Sequence, residues 1–486
     1  MHNDLREWIE KAEGLGKLVR IRGAHWDKEI AALAELFCYK KKFDTPALLF
    51  DEIPGHAKGY RIFFHELITP WAVAMTMNFP LEYDSLMDLV KAVHRKFETL
   101  QALPPRKVAT GPVMENVLRG KDVNLLKLPV PLFSEFDGGR YIGTSDCVIM
   151  KDADSGWVNL GSYRMQLHDE QSTGLYISPG KHGYLIRQKY FERGLPCPVA
   201  VCLGQDPLLS LFAGNEVPYG TGEYDLAGGV RGAPIEVIDA PETGLPIPAR
   251  AEIVIEGYCT PGDLRSEGPF PEWTGYYGSS SREDGSSSRE EPVFRVKTLM
   301  HRNDPILTAR HELRSKSFDF RSLMRSALLW KELERAGIPE IKGVWRYEQA
   351  GSRFFNVIAI NQRYYGHARQ VLHVAAQTAA GAYAGRWVVV VDDDIDPANI
   401  DEVLWAMGTR CQPATDIEFI NRSRSTPLDP LCFDKNKNYY TSLALVDACI
   451  PYEEKASFPR ATGATPAYSD EIYKKWRWLL EGRSTE

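Results

Sequence analysis

The sequence predicts a soluble α/β (α+β) protein with three domains and one long connecting helix. Its 486 residues are enough for about three domains at ~150 residues each. Helix and strand patterns alternate near both ends of the chain, whereas short strands separated by turns dominate its middle. A long amphipathic stretch between the middle and the last third indicates the connecting helix.

The composition is that of an ordinary soluble protein, with 44% hydrophobic and 25% charged residues. The net charge of −7 gives no electrostatic support for binding to nucleic acid or to an anionic membrane. The eight cysteines are scattered without a C-x-x-C pair, which favours reduced thiols in a cytoplasmic enzyme over a zinc or iron–sulfur cluster. We expect no signal peptide and no membrane span, because no apolar run is long enough.

Residues 1–110 have the pattern of a small α/β domain. Asp4 and Glu7 have capping-box spacing at the start of an amphipathic helix, which Gly14 and Gly16 end. The further predicted elements are strands at 18–21, 47–50 and 60–64, a helix at about 27–39, and a helix that runs from a cap at Asp84 to about 97.

Residues 111–319 are predicted to form a β-barrel or sandwich-like central domain with one helix at about 183–192. Turn signals such as Asp154-Ser155-Gly156 separate its short strands. The serine-rich stretch at 279–291 repeats the unit Ser-Ser-Ser-Arg-Glu, and a solvated insertion is the favoured interpretation over a binding role. The predicted strands lie at 146–151, 157–166, 198–203, 251–258 and 293–300.

The last third of the chain begins with the connecting helix at 320–337, which Gly337 ends. Residues 338–455 are predicted to form a C-terminal α/β domain, and 456–486 a C-terminal arm with a short amphipathic helix. A buried strand at 387–391 leads into the run Asp392-Asp393-Asp394, followed by a helix that starts at Asp396-Pro397. The run is compatible with a metal site, but a strand end followed by a helix cap is favoured.

Two glutamates, Glu267 and Glu272, stand five positions apart in the segment Ser-Glu-Gly-Pro-Phe-Pro-Glu-Trp. Five helical or strand steps place two side chains on different faces, and Pro269 and Pro271 exclude a helix interior or a central strand. A rigid turn, with Gly268 free to adopt unusual dihedrals, is therefore the arrangement that brings the carboxylates together. By itself such a pair is also compatible with hydrolysis.

Three further segments carry side chains suited to binding an anion or a metal ion. Asn159 offers a carbonyl oxygen and Arg164 a bidentate fork for a carboxylate, although such residues on a strand are often only surface. His182 opens a helix, where a capping or packing role is more common than metal binding. Glu223 lies in a glycine-flanked segment that could be a plain turn. If these side chains meet, one nitrogen and two oxygens favour Mn²⁺ or Mg²⁺ over structural zinc.

Taken together, these motifs resemble the UbiD family of reversible decarboxylases, which use prenylated FMN. The resemblance extends over most of the chain, in the right order. It includes the segment from Asn159 to Arg164, His182, Glu223, the segment from Glu267 to Tyr277, and the run Asp392-Asp393-Asp394-Ile395-Asp396. The glutamate segment followed by Trp-Thr-Gly-Tyr-Tyr is the most specific of these motifs.

The resemblance implies a role for each matching residue. Asn159, His182 and Glu223 would hold Mn²⁺ (or Mg²⁺), which binds the cofactor phosphate and is often accompanied by K⁺. The central domain would be a split β-barrel that binds the flavin, with the cofactor lined by Ser162, Tyr163, Arg164 and Lys181. Arg164, Glu267 and Glu272 would form the catalytic network, and the C-terminal α/β domain would mediate oligomerisation. Pro271 departs from the pattern, since many members have Gly there. A lysine that contacts the cofactor phosphate in some members has no confident counterpart in this sequence.

The resemblance therefore implies a reversible, non-oxidative decarboxylase of an aromatic (hydroxybenzoate-like or heteroaryl) or α,β-unsaturated carboxylic acid. It also implies a UbiX-type flavin prenyltransferase as the supplier of the cofactor, and a homodimer or higher homo-oligomer. An accessory or scaffold subunit of a multi-subunit carboxylase is the alternative, and a plain flavin reductase would need neither the metal set nor the paired acids. The substrate, the physiological direction and the role of the serine-rich loop remain open.

Overall fold

The computed structural model describes residues 1–215, 217–277, 289–314, 316–426, 428–432 and 439–480. The predicted α/β (α+β) class is confirmed, because a half-barrel sheet lies between an N-terminal and a C-terminal region that each combine helices with a sheet. The serine-rich loop is predicted at 279–291, and its residues 279–288 lie outside the described part of the chain. No helix in the described part of the chain is long and apolar enough to cross a membrane.

The N-terminal region packs helices on a small sheet. Its elements are α1 (Leu5–Gly14), β1 (Leu18–Arg22), α2 (Glu29–Lys41), β2 (Ala47–Asp51), β3 (Arg61–Phe64), α3 (Pro70–Thr76) and α4 (Leu86–Thr99). The Asp4 carboxylate accepts a hydrogen bond from the Glu7 amide at 2.9 Å, as the capping spacing predicts. The cap of α4 is Ser85 and not the predicted Asp84, because the Ser85 hydroxyl oxygen accepts from the Asp88 amide at 3.2 Å.

The central region is built around one strongly curved antiparallel sheet. Its elements are β4 (Arg106–Lys107), β5 (Asn116–Arg119), β6 (Tyr141–Gly143), β7 (Asp146–Lys151), β8 (Val158–Gly161), β9 (Met165–Asp169), β10 (Ser172–Gly174), α5 (His182–Glu192), β11 (Cys197–Leu203), α6 (Pro207–Ala213), α7 (Glu223–Arg231), β12 (Glu236–Asp239), β13 (Pro246–Pro248), β14 (Ile253–Glu267), β15 (Arg289–His301) and β16 (Ile306–Ala309).

The strand order of the large sheet is β6-β9-β10-β15-β14-β11-β7-β8, with β5 paired to β15. Three strands, β4, β12 and β13, form a separate small sheet. Strand β16 leaves the central region and pairs in parallel with β3, so that the N-terminal sheet has the order β1-β2-β3-β16. The N-terminal and central regions are therefore joined through a shared sheet as well as through the chain.

One expected strand, at 157–166, is interrupted in the structure. Strand β8 ends at Gly161 and β9 begins at Met165, which leaves residues 162–164 in an irregular loop. The loop is fixed at its start, because the Ser162 amide donates to the Ala213 carbonyl at 3.0 Å. This interruption places the loop residues at the end of the half-barrel instead of inside its sheet.

The C-terminal region follows the connecting helix and contains a five-stranded sheet of order β17-β18-β19-β21-β20. Strands β18, β19 and β21 are mutually parallel, and the two outer strands are antiparallel to them. The elements are α8 (Phe320–Arg335), β17 (Ile341–Arg346), β18 (Phe355–Ile360), α9 (His367–Gln377), α10 (Ala379–Ala382), β19 (Trp387–Asp392), α11 (Ile400–Arg410), α12 (Pro413–Asp416), β20 (Ile417–Arg424), β21 (Tyr440–Asp447) and α13 (Pro466–Leu480).

The acidic run at the end of β19 has structural partners in the described residues. Asp392 is buried and accepts from the Gln362 side chain and the Ile450 amide. Asp394 pairs with both terminal nitrogens of Arg410. Helix α11 begins three residues later than expected, because Asn399 provides its cap and Asp396 instead closes a turn onto the Ala398 amide. These contacts support the strand-end interpretation over the metal site.

Candidate active site

A cavity of about 340 Å³ lies where the half-barrel faces the C-terminal region. All the catalytic, cofactor and metal-site residues predicted from the resemblance belong to the central region, and all of them line the cavity except Glu267, which lies behind the wall. The C-terminal region and the connecting helix complete the lining. The lining residues used below are Asp146, Asn159, Ser162, Tyr163, Arg164, Lys181, His182, Glu223, Glu272, Trp273, Arg353 and Tyr383.

Arg164 is the centre of the polar cluster at this cavity. Its Nη1 donates to Oε1 of Glu272 at 2.5 Å, and its Nη2 donates to Oε2 of Glu267 at 3.0 Å. Its guanidinium carbon lies 4.6 Å from the centre of the Tyr176 ring. Burial opposes the charged form, but the charges of Glu272 and Glu267 outweigh it and raise the pKa of Arg164. The arginine is therefore a fixed cation between two acids.

Glu267 is the more enclosed of the two acids, with 1% of the residue exposed. It is the last residue of β14, and its Oε1 accepts a hydrogen bond from the Tyr141 hydroxyl at 3.0 Å. Burial raises the pKa of Tyr141, so this hydroxyl stays a donor. The guanidinium of Arg289 lies 3.7 Å from the other carboxylate oxygen. Glu267 is thus surrounded by donors and shielded from the cavity.

Glu272 reaches the same guanidinium from a tight turn that follows β14. The turn contains a cis peptide bond between Gly268 and Pro269, and Gly268 has φ = 98°. Phe270 stacks on Tyr141 with ring centres 3.9 Å apart. The Glu272 amide donates to the Tyr276 carbonyl at 2.8 Å. The structure thus brings the two carboxylates together by the turn that the proline spacing predicts.

Two close contacts hold this turn in place from outside. The Gly138 amide donates to the Pro269 carbonyl at 2.7 Å, and a Cβ on Gly138 would lie 1.8 Å from the Gly268 carbonyl oxygen. On the other side the Trp273 ring packs on Phe354 of the C-terminal region, with ring centres 5.2 Å apart. The position of Glu272 therefore depends on both the half-barrel and the C-terminal region.

The three candidate metal ligands line the end of the cavity formed by the starts of α5 and α7. Asn159 lies on β8 with 1% exposed, and Glu223 is the first residue of α7 with 2% exposed. Oε2 of Glu223 accepts from the amide of Leu160, the residue after Asn159, at 2.9 Å. His182 is the first residue of α5, and its ring contacts the edges of Trp157 and Tyr219.

The chemistry of this donor set fits a divalent cation. Burial raises the pKa of the Glu223 carboxyl to about 7, although the Leu160 amide favours the charged form. Asn159 is buried, and its side-chain amide contacts the Tyr163 hydroxyl, an arrangement that leaves its amide oxygen available to an ion. A cation held by these oxygens and an imidazole nitrogen would compensate the buried charge of Glu223.

The loop from Ser162 to Arg164 connects the two clusters. The Ser162 hydroxyl donates to Oδ1 of Asp146 at 3.1 Å, and the Tyr163 hydroxyl accepts from the Gly183 amide at 3.1 Å. A side chain at Gly161 would collide with the Tyr163 ring, since a Cβ there would lie 2.3 Å from ring atoms. Strand β8, this loop and the start of α5 therefore form one packed unit on the cavity wall.

Sequence reasoning missed Asp146 and the residues of the C-terminal region that complete the wall. Asp146 is buried at the start of β7, and burial raises its pKa to about 7. Its sequence signal is an acid at the start of the apolar strand Cys-Val-Ile-Met. The guanidinium of Arg353 lies 4.5 Å from the Tyr383 ring, and the Lys181 ammonium lies 5.8 Å from the same ring. No sequence pattern pairs such distant residues.

Comparison with known families gives matches over both large regions of the chain. Residues 106–312 match the 3-octaprenyl-4-hydroxybenzoate carboxy-lyase Rift-related domain. Residues 319–448 match the 3-octaprenyl-4-hydroxybenzoate carboxy-lyase C-terminal domain. The first match contains the Arg164 cluster and the candidate metal ligands, and the second contains the residues that close the cavity.

Two curated relatives match over nearly their full length. A phenolic acid decarboxylase of Streptomyces sp. (strain D7) is 30% identical, over 99% of this chain and 98% of the relative. A pyrrole-2-carboxylic acid decarboxylase of Pseudomonas aeruginosa is also 30% identical, over 95% of this chain and 94% of the relative.

Two solved structures have the same overall fold. The vanillic acid decarboxylase of Sedimentibacter hydroxybenzoicus superposes with a TM-score of 0.84 and 28% identity, over 99% of both chains. An evolved dimeric form of the UbiD-class enzyme HmfF from Pelotomaculum thermopropionicum, in complex with prFMN, superposes with a TM-score of 0.80 and 27% identity, over 96% of this chain and 98% of that one.

Proposed function

Because the chain belongs to the UbiD family of carboxy-lyases, we propose that it is a reversible, non-oxidative decarboxylase that uses prenylated FMN. Its substrate would be an aromatic acid of the hydroxybenzoate or heteroaryl kind, or an α,β-unsaturated acid. The names of the relatives favour the aromatic class, since they act on phenolic acids and on pyrrole-2-carboxylic acid. The complex of the HmfF variant with prFMN supports the choice of cofactor.

The observation that carries this proposal is the arginine held between two glutamates at the cavity. Arg164 binds Glu267 on its shielded side and Glu272 on its cavity side. Loss of CO₂ from an unsaturated carbon leaves a carbanion, and the bound prenylated flavin would supply the electron sink for it. The protein must then supply a fixed positive charge, a cavity wall that excludes water, and a proton for the carbon that loses CO₂.

The two acids divide these tasks by their positions. Glu267 lies behind the wall and accepts from Tyr141 and Arg164, so its part is to fix the guanidinium. Glu272 lines the cavity and is the acid that can reach a substrate, so we assign it the proton that replaces CO₂. It must hold that proton when it acts, and general acid catalysis by one group contributes ~10²–10⁴-fold.

The remaining cavity residues are assigned to binding. Asn159, His182 and Glu223 would hold Mn²⁺ (or Mg²⁺), with K⁺ beside it, at the cofactor phosphate. Ser162, Tyr163 and Lys181 lie on the same wall and would position the cofactor. Arg164 would orient the acid substrate or the flavin through its remaining donor surface.

Partners follow from the same proposal. A flavin prenyltransferase would supply the cofactor, and the protein would act in the cytoplasm as a homodimer or higher homo-oligomer. A scaffold role in a carboxylase complex would give no reason to keep the Arg164 cluster and the donor set at the cavity.

The test is to produce the chain with and without a co-expressed flavin prenyltransferase and to assay CO₂ release from a panel of acids. The panel would contain hydroxybenzoates, heteroaryl acids and cinnamate-like acids. We expect a modified flavin spectrum and CO₂ release only after co-expression. A flavin-loaded protein that releases no CO₂ from any of the three classes would contradict the proposal, and activity without the prenyltransferase would contradict the cofactor.

A further inference from the structure

A second group of metal-binding side chains lies away from the active-site cavity, where helix α4 packs on the connecting helix α8. His94 and Glu98 are four residues apart on α4 and share one face, and Glu334 faces them from α8. One nitrogen or oxygen of each residue lies within 4.8 Å of the others. This is the only group of three such side chains found among the described His, Cys, Asp and Glu residues.

The histidine of this group is buried and points at the carboxylates. His94 is 8% exposed, and its Nε2 lies 3.0 Å from Oε2 of Glu334. Within the described ranges this nitrogen has an ion-pair contact but no hydrogen-bond partner. Two ligands of one cation, at bond lengths of about 2.0–2.2 Å, lie about 3 Å apart at ordinary bond angles. The distance between Nε2 of His94 and Oε2 of Glu334 is therefore the distance expected between two ligands of one ion.

Trp330 orients both of these side chains. Its indole nitrogen donates to Oε1 of Glu334 at 2.8 Å, which leaves Oε2 of that carboxylate directed at His94. The Trp330 ring lies against the imidazole with ring centres 5.1 Å apart. A metal-binding carboxylate is commonly fixed in this way by a neighbouring donor.

We propose that His94, Glu98 and Glu334 form a binding site for a divalent transition-metal ion, separate from the active-site cavity. One imidazole and two carboxylates suit Zn²⁺ or Mn²⁺, with water in the remaining positions because Glu98 and Glu334 are exposed on the groove side. The groove around the site is lined by more acids than bases, which favours the approach of cations over anions. Besides the two glutamates of the site it contains Asp393, Asp394, Asp396 and Glu402, against Lys91, Arg95 and Lys342.

The ion would link the N-terminal region to the connecting helix. Helix α4 belongs to the first region and α8 leads into the third, and the two helices pack against each other. A ligand that binds only the folded arrangement raises its stability by mass action. The metal would therefore act as a cross-link between regions and not as a catalyst.

The experiment is a titration of the purified, cofactor-loaded protein with Zn²⁺ by isothermal titration calorimetry. We expect the wild type to bind one Zn²⁺ more than His94→Gln and Glu98→Gln, whatever the cofactor site itself binds. Glu98 is exposed, so its variant keeps the fold even if the buried His94 variant does not. Asp393→Asn, an exposed acid of the same groove, is the matched control and should bind like the wild type.

Two further readouts separate a site from a plain ion pair. Zn²⁺ should raise the Tm of the wild type and of Asp393→Asn, but not that of Glu98→Gln. Trp330→Phe keeps the ring contact and removes the donor, so its affinity for Zn²⁺ should fall about tenfold. Equal zinc stoichiometry in the wild type and Glu98→Gln would overturn the proposal, and so would loss of zinc binding in Asp393→Asn.

Discussion

At the scale of single residues, two glutamates bound to one arginine differ in what else they contact. Glu267 accepts from the Tyr141 hydroxyl as well as from Arg164 and lies behind the cavity wall. Glu272 contacts Arg164 and faces the cavity. Since a proton donor must reach the reacting atom, these positions support the proposed division of roles, which the sequence spacing alone does not assign.

The buried carboxyl of Asp146 predicts how the stability of the protein depends on pH. Burial raises its pKa from 3.8 to about 7, so between these values the folded protein keeps a proton that the unfolded chain releases. The stability therefore falls as the pH rises through this window. We expect Asp146→Asn, measured without cofactor, to unfold at a temperature about 2–4 °C higher than the wild type at pH 8.

The same comparison at lower pH provides the check. The difference in Tm should shrink as the pH falls from 8 to 5, because the wild-type carboxyl becomes neutral in the folded state. Asp393→Asn, an exposed acid, should follow the wild type at every pH. A difference that is constant with pH, or that grows toward pH 5, would rule out a buried ionisation at Asp146.

At the scale of elements, the turn after β14 determines where Glu272 lies. A methyl group at Gly138 would lie 1.8 Å from the Gly268 carbonyl oxygen, which is backbone and cannot rotate away. Gly138→Ala should therefore displace the turn while the half-barrel still folds. A misplacement of about 1 Å can cost ~100-fold in rate, so we expect a loss of CO₂ release on that order.

Gly408→Ala is the matched control for that substitution. Gly408 lies inside α11, and a Cβ there has no heavy atom within 4 Å. We expect full activity and a gain in stability of about 1 kcal/mol, because alanine favours the helix. If Gly138→Ala retained wild-type turnover with bound flavin, the turn would not control the position of the acid.

The sequence predicts most elements but not the details that make the site. The amphipathic pattern of α8 and the valine run of β19 identify both elements. Burial on one face of a helix leaves a 3.6-residue periodicity, and burial on both faces of a strand leaves a short continuous apolar run. The break between β8 and β9 has no such signal, since Ser162 and Tyr163 continue a strand-like pattern. It depends on tertiary contacts, such as the hydrogen bond from Ser162 to the Ala213 carbonyl.

The turn that brings the two glutamates together was predictable, because Pro269 and Pro271 exclude both regular structures. The hydrogen-bond partners of Glu267 could not be predicted, because Tyr141 lies more than a hundred residues away in the sequence. Tyr383 belongs to another region and meets Lys181 only in the folded chain. Long-range contacts of this kind leave no local periodicity.

At the scale of the whole molecule, the active-site cavity depends on two regions at once. Trp273 follows Glu272 in the turn after β14 and contacts Phe354 and Arg353 of the C-terminal region. The N-terminal sheet is completed by β16, which leaves the half-barrel. The N-terminal and C-terminal regions are therefore each joined to the half-barrel by non-covalent contacts as well as by the continuous chain.

The C-terminal helix α13 gives a prediction about assembly. It exposes several large apolar side chains in the single chain, including Tyr473, Trp476 and Trp478. Such a surface is expected to be covered by another copy in a homo-oligomer. We expect the pair of substitutions Trp476→Glu and Trp478→Glu to lower the molar mass measured by light scattering after size exclusion.

The control for assembly is Leu195→Glu, which changes an exposed apolar residue in the half-barrel region. It should keep the mass of the wild type. An unchanged mass in the double variant would mean that this arm does not hold the oligomer together.

The central claim is that Glu272 gives the proton that replaces CO₂, and hydrogen–deuterium exchange tests it without net turnover. The product of an active acid is incubated in D₂O with cofactor-loaded enzyme, and loss of its proton signal is followed by NMR. We predict exchange by the wild type and by Glu192→Gln, an exposed control on α5, and a rate ~10²–10⁴-fold lower for Glu272→Gln with the same flavin content. Exchange at the wild-type rate in Glu272→Gln would contradict the claim.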